Sequence, residues 1–286
     1  MSKTPLYGTH VSIAGSLDQS FERASEVGCT TFQIFTRNPR GWAFKAIEDE
    51  EAKAFKSKKR TTGFGKLVDH MPYLPNLASS DRVMMKQSRV TLAAEVRRCD
   101  QLGLEYMVTH LGSHQGKGTM AGVRNIAGAC NEALDQSDGK TVIALENMAG
   151  QKNCIGARFE DIARIIDLVQ DKKRVGVCLD TCHLFAAGFD IRSQDGVDQT
   201  LDMFSDIVGM EKLKVVHLND SLGALGENLD RHEHIGMGKI GKKGFLAVLG
   251  YKGVLEHPLI LENPVDDNRG QKEDVAELGR MLKTVA

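Results

Sequence analysis

The sequence predicts an α/β protein, a single closed (β/α)8 TIM barrel spanning residues 1–286. Three observations carry this. Short apolar runs rich in β-branched residues alternate strictly with longer segments of helical periodicity, eight of each. Six of the runs stop at a histidine or an acid, at His70, His110, Glu146, Asp180, His217 and Glu262. A parallel barrel builds its sites at the C-terminal ends of its strands, so polar residues there favour a closed barrel over an open sheet. The chain is also of ordinary barrel length, with no linker, low-complexity run or fixed repeat.

The first strand is read over Leu6 to Val11 and the second over Thr31 to Phe35. Between them, Ser16 and Gln19 have capping-box spacing, Leu17, Phe21 and Ala24 share a helix face, and Gly28 ends it. The loop Thr36-Arg37-Asn38-Pro39-Arg40-Gly41-Trp42 carries two arginines and the chain's one tryptophan. It reads equally as a turn around a half-buried indole or as a cationic surface for a polyanion. A Lys-rich helix from about Glu48 to Thr61 precedes the strand Lys66 to Asp69, which delivers His70. Met71-Pro-Tyr73-Leu-Pro75 is too rich in proline to be helical. Ser80 is the expected cap of a long helix, Asp81 to Leu102, stopped by Gly103. Strand Tyr106 to Thr109 leads to His110, and a helix runs from about Thr119 to Gln136.

Strand Thr141 to Leu145 leads to Glu146, and a helix follows with Phe159, Ile162, Ile165, Ile166 and Val169 on one stripe. The sixth strand is Val175 to Asp180, with His183 three residues beyond. A helix near Val197 to Val208 leads to strand Lys214 to Leu218, which carries His217. A long polar loop, Asn219 to Lys243, contains Asp230 and His232. A short helix near Phe245 to Leu249, strand Pro258 to Leu261 before Glu262, and a last helix from about Lys272 to Thr284 complete the barrel.

Composition narrows the function. A net charge of −1 argues against a generally basic nucleic-acid coat and leaves room for a local positive site. The first ten residues lack the apolar core of a signal peptide, and no run of about 18 apolar residues exists to span a membrane. An intracellular, cytoplasmic protein is expected. Six scattered cysteines without a C-x-x-C pair are expected to be reduced core thiols, with Cys182 packing near the site rather than binding metal.

Six strand ends supply three imidazoles and three carboxylates, and a parallel barrel brings them to one rim whatever their separation in sequence. Any one of them alone is better read as a satisfied polar terminus; all six together are not. Mixed imidazole and carboxylate without thiolate suits Zn²⁺, Mn²⁺ or Fe²⁺. Three carboxylates suggest more than one ion, because a carboxylate can bridge. His183, Asp230 and His232 form a second set, Asp230 and His232 lying on one side of an extended segment. His10 and His114 are expected to support ligands rather than bind metal, His257 to be on the surface, and His234 is ambiguous. Gly236-Met-Gly238-Lys-Ile-Gly241 matches a dinucleotide fingerprint but follows a charged loop rather than a strand, so that reading is rejected.

With these residues in view, the chain resembles the endonuclease IV family of zinc-dependent apurinic/apyrimidinic endonucleases over nearly its whole length. The segments that carry the resemblance are Gly8 to Ser12, Phe35 to Trp42, His70 to Tyr73, His110 to His114, Leu145 to Asn147, Leu179 to His183, His217 to Ser221, Asp230 to Gly236 and Leu261 to Pro264. Leu111 and Met237 depart from residues seen in some members, outside the ligand positions. The resemblance implies three divalent ions, Zn²⁺ foremost, with Mn²⁺ possible at one site. His70, His110 and Glu146 would hold the first. Glu146 would bridge to the second, with Asp180, His217 and Glu262. His183, Asp230 and His232 would hold the third. It implies incision of double-stranded DNA 5′ to an abasic site, giving a 3′-hydroxyl and a 5′-deoxyribose phosphate, and trimming of blocked 3′ ends. The attacking group would be a metal-bridging hydroxide oriented or deprotonated by Glu146. Arg40 and Tyr73 would enter the duplex. Apart from the resemblance, a monomer is expected. Two other readings stay open: a metal-dependent sugar isomerase or epimerase, which needs neither the third set nor the Arg40 and Tyr73 loops, and a non-catalytic damage-binding protein.

Overall fold

The computed structural model describes residues 5–285; residues 1–4, part of the stretch searched for a leader peptide, and 286 lie outside the described residues. Strands β1 (Tyr7–Thr9), β2 (Gln33–Ile34), β3 (Val68–His70), β4 (Tyr106–Thr109), β5 (Val142–Glu146), β6 (Val175–Asp180) and β7 (Leu213–His217) follow one another around the barrel. A two-stranded hairpin, β8 (Asp220–Ser221) with β9 (His232–Glu233), then interrupts the series, and β10 (Leu259–Leu261) is the eighth barrel strand. Every barrel pairing is parallel, β10 lying between β7 and β1. The last seam, β1 to β2, closes on one bridge, His10 to Gln33, with the Val11 amide donating to the Gln33 carbonyl at 2.8 Å.

The outer helices are α1 (Ser20–Val27), α2 (Asp49–Thr62), α3 (Arg82–Leu102), α4 (Thr119–Asp135), α5 (Phe159–Leu168), α7 (Gln194–Ile207), α8 (Gly241–Gly250) and α9 (Gln271–Val285), with a short α6 (Thr181–Ala186) at the mouth after β6. Strand alternation sorts the core into two layers. Leu67, Met107, Ile143, Leu145, Val175, Val177, Leu179, Leu259 and Leu261 face outward into one large apolar cluster with the helices. Val68, Tyr106, Val108, Ala144, Cys178, Val215 and Ile260 face inward and plug the barrel. Burying a large aliphatic side chain contributes about 1.5–3 kcal/mol, so both layers favour this strand register over a one-residue slip.

Three local expectations are corrected. Ser16 does not cap α1; its hydroxyl donates to Asp18 Oδ1 at 2.6 Å, and a 3₁₀ turn, Leu17–Gln19, comes first. Asp81, not Ser80, caps α3, accepting from the Met84 amide at 2.7 Å while Ser80 Oγ donates to Gln115. A carboxylate is the stronger acceptor, and the hydroxyl is engaged elsewhere. The segment 219–243 is not one open loop but holds the β8–β9 hairpin. The chain reversals at Gly28 and Gly103 are as expected, each with positive φ.

Candidate metal centre

Each of the six strand-end side chains stands two residues beyond an inward-facing plug residue: His70 after Val68, His110 after Val108, Glu146 after Ala144, Asp180 after Cys178, His217 after Val215 and Glu262 after Ile260. The two-residue period of a strand therefore aims all six into the mouth above the plug. His183 comes from the first turn of α6, which Asp180 caps by accepting the His183 amide at 2.7 Å. His232 comes from β9, and Asp230 from the segment just before it.

The structure brings these nine residues together in three adjoining groups, each with its donor atoms within 4.8 Å of one another: His70, His110 and Glu146; Glu146, Asp180, His217 and Glu262; and His183, Asp230 and His232. Glu146 belongs to two groups. Its Oε2 lies 3.3 Å from His70 Nε2 and 3.2 Å from His110 Nε2, and its Oε1 lies 3.0 Å from His217 Nδ1. In the third group, Asp230 Oδ1 lies 3.2 Å from His183 Nε2 and 3.4 Å from His232 Nε2.

Four of the five imidazoles have their second ring nitrogen fixed. His70 Nδ1 faces the Met71 carbonyl at 2.7 Å, His183 Nδ1 the Asn147 carbonyl at 2.8 Å, and His232 Nδ1 the Glu262 carbonyl at 3.1 Å. His217 Nε2 meets Gln33 Oε1 at 2.9 Å. This arrangement, one nitrogen anchored and the other turned to the group's centre, is the one that orients imidazole for a metal. His232 Nε2 is buried and makes no hydrogen bond.

Electrostatics supports the same fit. Glu146 and Asp180 are buried beside the half-buried Glu262 in one small volume, which is costly for like charges without compensating cations. Burial opposes the charged form of His183, but Asp180, Asp230 and Glu146 outweigh it and lift its pKa to about 10. Burial likewise opposes charge on His232, and Asp230 with Asp180 lifts it to about 9. Burial works to raise Glu146, yet His110 and His217 hold it well below the ordinary carboxylate range. The carboxylates thus favour positive charge at this centre, and the residues present fit divalent ions.

Several supporting residues are not legible from sequence. Gln33 Nε2 donates to Glu262 Oε1 at 2.6 Å while its carbonyl oxygen faces His217. Asn219 reaches Asp180 and Glu262, and Asn147 pairs with the backbone of Asp180. The available signal was an amide inside or just beyond an apolar run, which otherwise reads as strand surface. His10 supports the site through Gln33, at 3.0 Å. His114 does not; its Nδ1 accepts the Gly116 and Gly118 amides and stiffens its own loop. His257 is half-buried rather than on the surface, and burial pulls its pKa to about 4. His234 is buried between Asp274 and Asp266, at 2.7 and 3.1 Å.

The glycine-rich segment 236–241 wraps an internal anion. The Gly236, Gly238, Ile240 and Gly241 amides, with that of Ser221, donate to the buried Asp220 carboxylate. All six cysteines are free thiols, and Cys182 packs with its Sγ 3.7 Å from the Arg231 carbonyl. The two arginines of the 36–42 loop part company. Arg37 is buried against Glu95, so it offers no surface to a polyanion. Arg40 is exposed, and its side chain makes no hydrogen bond or ion pair among the described residues. Tyr73 is 56% exposed, its ring centroid 5.2 Å from that of His70 and 5.3 Å from that of His110. No helix among the described residues is long and apolar enough to cross a membrane.

Residues 21–285 match the family model described as a xylose isomerase-like TIM barrel. A probable endonuclease 4 of Methanoculleus marisnigri is 48% identical over 274 residues, covering 96% of this chain and 97% of that protein. The crystal structure of endonuclease IV from Thermus thermophilus superposes with a TM-score of 0.85 at 35% identity, covering 98% of each chain. A D-tagatose 3-epimerase-like protein shares the fold, with a TM-score of 0.73 at 21% identity and 98% of each chain covered. Barrel and relatives together define a metal-dependent hydrolase of the AP endonuclease class. The chain belongs to the endonuclease IV family.

Proposed function

We propose that the protein hydrolyses the phosphodiester 5′ to an abasic site in duplex DNA, leaving a 3′-hydroxyl and a 5′-deoxyribose phosphate, and that it trims blocked 3′ ends. The observation that carries this is the placement of Glu146, one carboxylate oxygen facing each of two donor groups. His70, His110 and Glu146 would hold one ion. Glu146, Asp180, His217 and Glu262 would hold a second, and His183, Asp230 and His232 a third, Zn²⁺ foremost with Mn²⁺ possible at one. When bound, such ions polarise a phosphodiester, lower the pKa of water and offset the charge that builds on a leaving oxygen.

The chain's own part is positional. A water oxygen bonds to phosphorus, the bond from phosphorus to the 3′ oxygen breaks, and the water's proton ends on that oxygen. Glu146, fixed by imidazoles on both sides, orients that water and holds its proton. Exposed Arg40 and Tyr73 fill the gap left by the missing base, and a sugar without a base loses little stacking on extrusion. The sugar isomerase reading shares the fold, but it gives no use to the third group or to these two exposed side chains. A non-catalytic damage binder would not need a full donor set. The expected form is a monomer.

The test is a duplex carrying one abasic site, with the ends identified by mass. Single incision giving a 3′-hydroxyl, abolished by chelator and restored by Zn²⁺, is expected. No incision, or incision indifferent to chelation, would overturn the proposal.

A further inference from the structure

Beneath the Arg40 loop lies a buried charged cluster to which the proposed chemistry assigns no role. Arg37 is 5% exposed, Arg98 8% and Glu95 0%. An arginine stays protonated when buried, so each of its N–H groups must find an acceptor. Glu95 on α3 pairs with Arg37 and accepts from Thr36 Oγ1 at 2.7 Å. Further donors take carbonyl oxygens from the loop itself. Arg37 Nη1 reaches Gly41 at 3.0 Å and Trp42 at 3.2 Å, and Arg98 Nη1 reaches Lys45 at 2.8 Å. Arg98 Nε also donates to Thr36 Oγ1 at 2.9 Å, so one guanidinium ties the loop's first residue to its last turn.

The segment has neither helix nor strand to satisfy these carbonyls. From outside, Phe44 stacks on both guanidinium groups, its ring centroid 4.7 Å from Arg37 Cζ and 5.6 Å from Arg98 Cζ. The clamp is also indexed to the metal centre. Asp69 precedes His70 on β3 and faces the opposite way, and its Oδ1 accepts the Thr36 amide at 3.0 Å.

We infer that Glu95 and Arg98 are positioning residues that hold loop 36–45 in the one shape presenting Arg40 to the duplex, so that α3 sets damage recognition without touching substrate. This rests on the abasic-site reading above. Neither residue hydrogen-bonds or ion-pairs with any of the nine donor side chains, so disturbing them should alter recognition and spare the chemical step.

The experiment is steady-state kinetics on a duplex with one abasic site for wild type, Glu95→Gln, Arg40→Ala and the double variant, with bound metal measured on each. Glu95→Gln should raise KM on the order of tenfold, with kcat within about twofold and metal content unchanged; a misplacement of about 1 Å caused far from the chemistry can cost up to about a hundredfold. In the Arg40→Ala background, Glu95→Gln should raise KM no further, because residues acting through one another are non-additive. Multiplying effects, an unchanged KM, or a fall in kcat together with metal content would overturn the inference. Should Glu95→Gln not fold, Arg37→Lys, which keeps the charge but loses the reach to Gly41 and Trp42, enters the same cycle with the same expected and overturning outcomes. Failure of the wild type to incise would sink the abasic-site reading itself; multiplying effects in an active enzyme would sink only the clamp.

Discussion

Four imidazoles from different segments converge on Glu146: His70, His110 and His217 at 3.0–3.3 Å, and His183 at 3.5 Å. A carboxylate so surrounded cannot swing, and the proposed function uses it to fix whatever lies between the two groups that it joins. Glu146→Gln keeps the shape and removes the charge. Binding of abasic duplex, read by anisotropy, should stay within a few-fold, while single-turnover incision falls by at least about 10²–10³, the scale of losing one preorganised electrostatic group. Near-normal cleavage would remove Glu146 from the chemistry. Tyr73, standing over His70 and His110, carries the second prediction. Tyr73→Ala should lower the preference for abasic over intact duplex by about 5- to 100-fold, the value of one base-sized stacking contact, and an unchanged ratio would mean that it only packs. The six strand-end donors are legible in sequence because an imidazole or acid ending an apolar run needs a reason. Gln33 and Asn219 are not, since an amide there is equally a solvated strand terminus and only the folded barrel brings either to Glu262.

At the scale of elements, strands and outer helices follow from periodicity and glycine stops, whereas the two pieces that complete the third group do not. α6 is a six-residue helix closed by Asp180 as cap, too short for any periodic signal. The β8–β9 hairpin depends on Asp220, whose buried carboxylate gathers the amides of 236–241. A glycine-rich run shows that backbone must approach something closely, but not that the something is an aspartate of the same chain. Gly238 has no room for a side chain; a Cβ would stand 2.5 Å from Asp220 Oδ1 and from the Ser221 carbonyl oxygen. Gly238→Ala should therefore cost about 1–3 kcal/mol by overpacking and disturb the strand that carries His232. Thermal melting and elemental analysis together check this. The melting temperature should fall by several degrees and bound metal should drop below the wild-type content; an unchanged metal content would separate the hairpin from the third group.

For the whole molecule, the closed barrel is what lets residues as distant as His70 and Glu262 share one rim, and its plug of seven inward residues sets their height. The same enclosure ties stability to metal and to pH. Five imidazoles and four carboxylates form the donor set, and without ions the carboxylates lift His183 to about 10 and His232 to about 9. A histidine whose folded pKa is raised stabilises the fold fully below its ordinary value near 6.5, and that stability is lost as pH rises through the folded value. The metal-free protein should thus weaken between about pH 7 and 10. Ions need the neutral imidazoles, so their contribution runs the opposite way and grows with pH. At a hundredfold excess over Kd each ion adds about 2.7 kcal/mol, and 1 kcal/mol shifts the melting temperature of a chain near this size by about 2–4 °C. Chelation at pH 8 should lower the melting temperature by at least about 5 °C, and the gap should narrow toward pH 6 as protons replace cations. Melting curves with and without chelator across that range test this, and a gap independent of pH would mean that the imidazoles do not carry the metal.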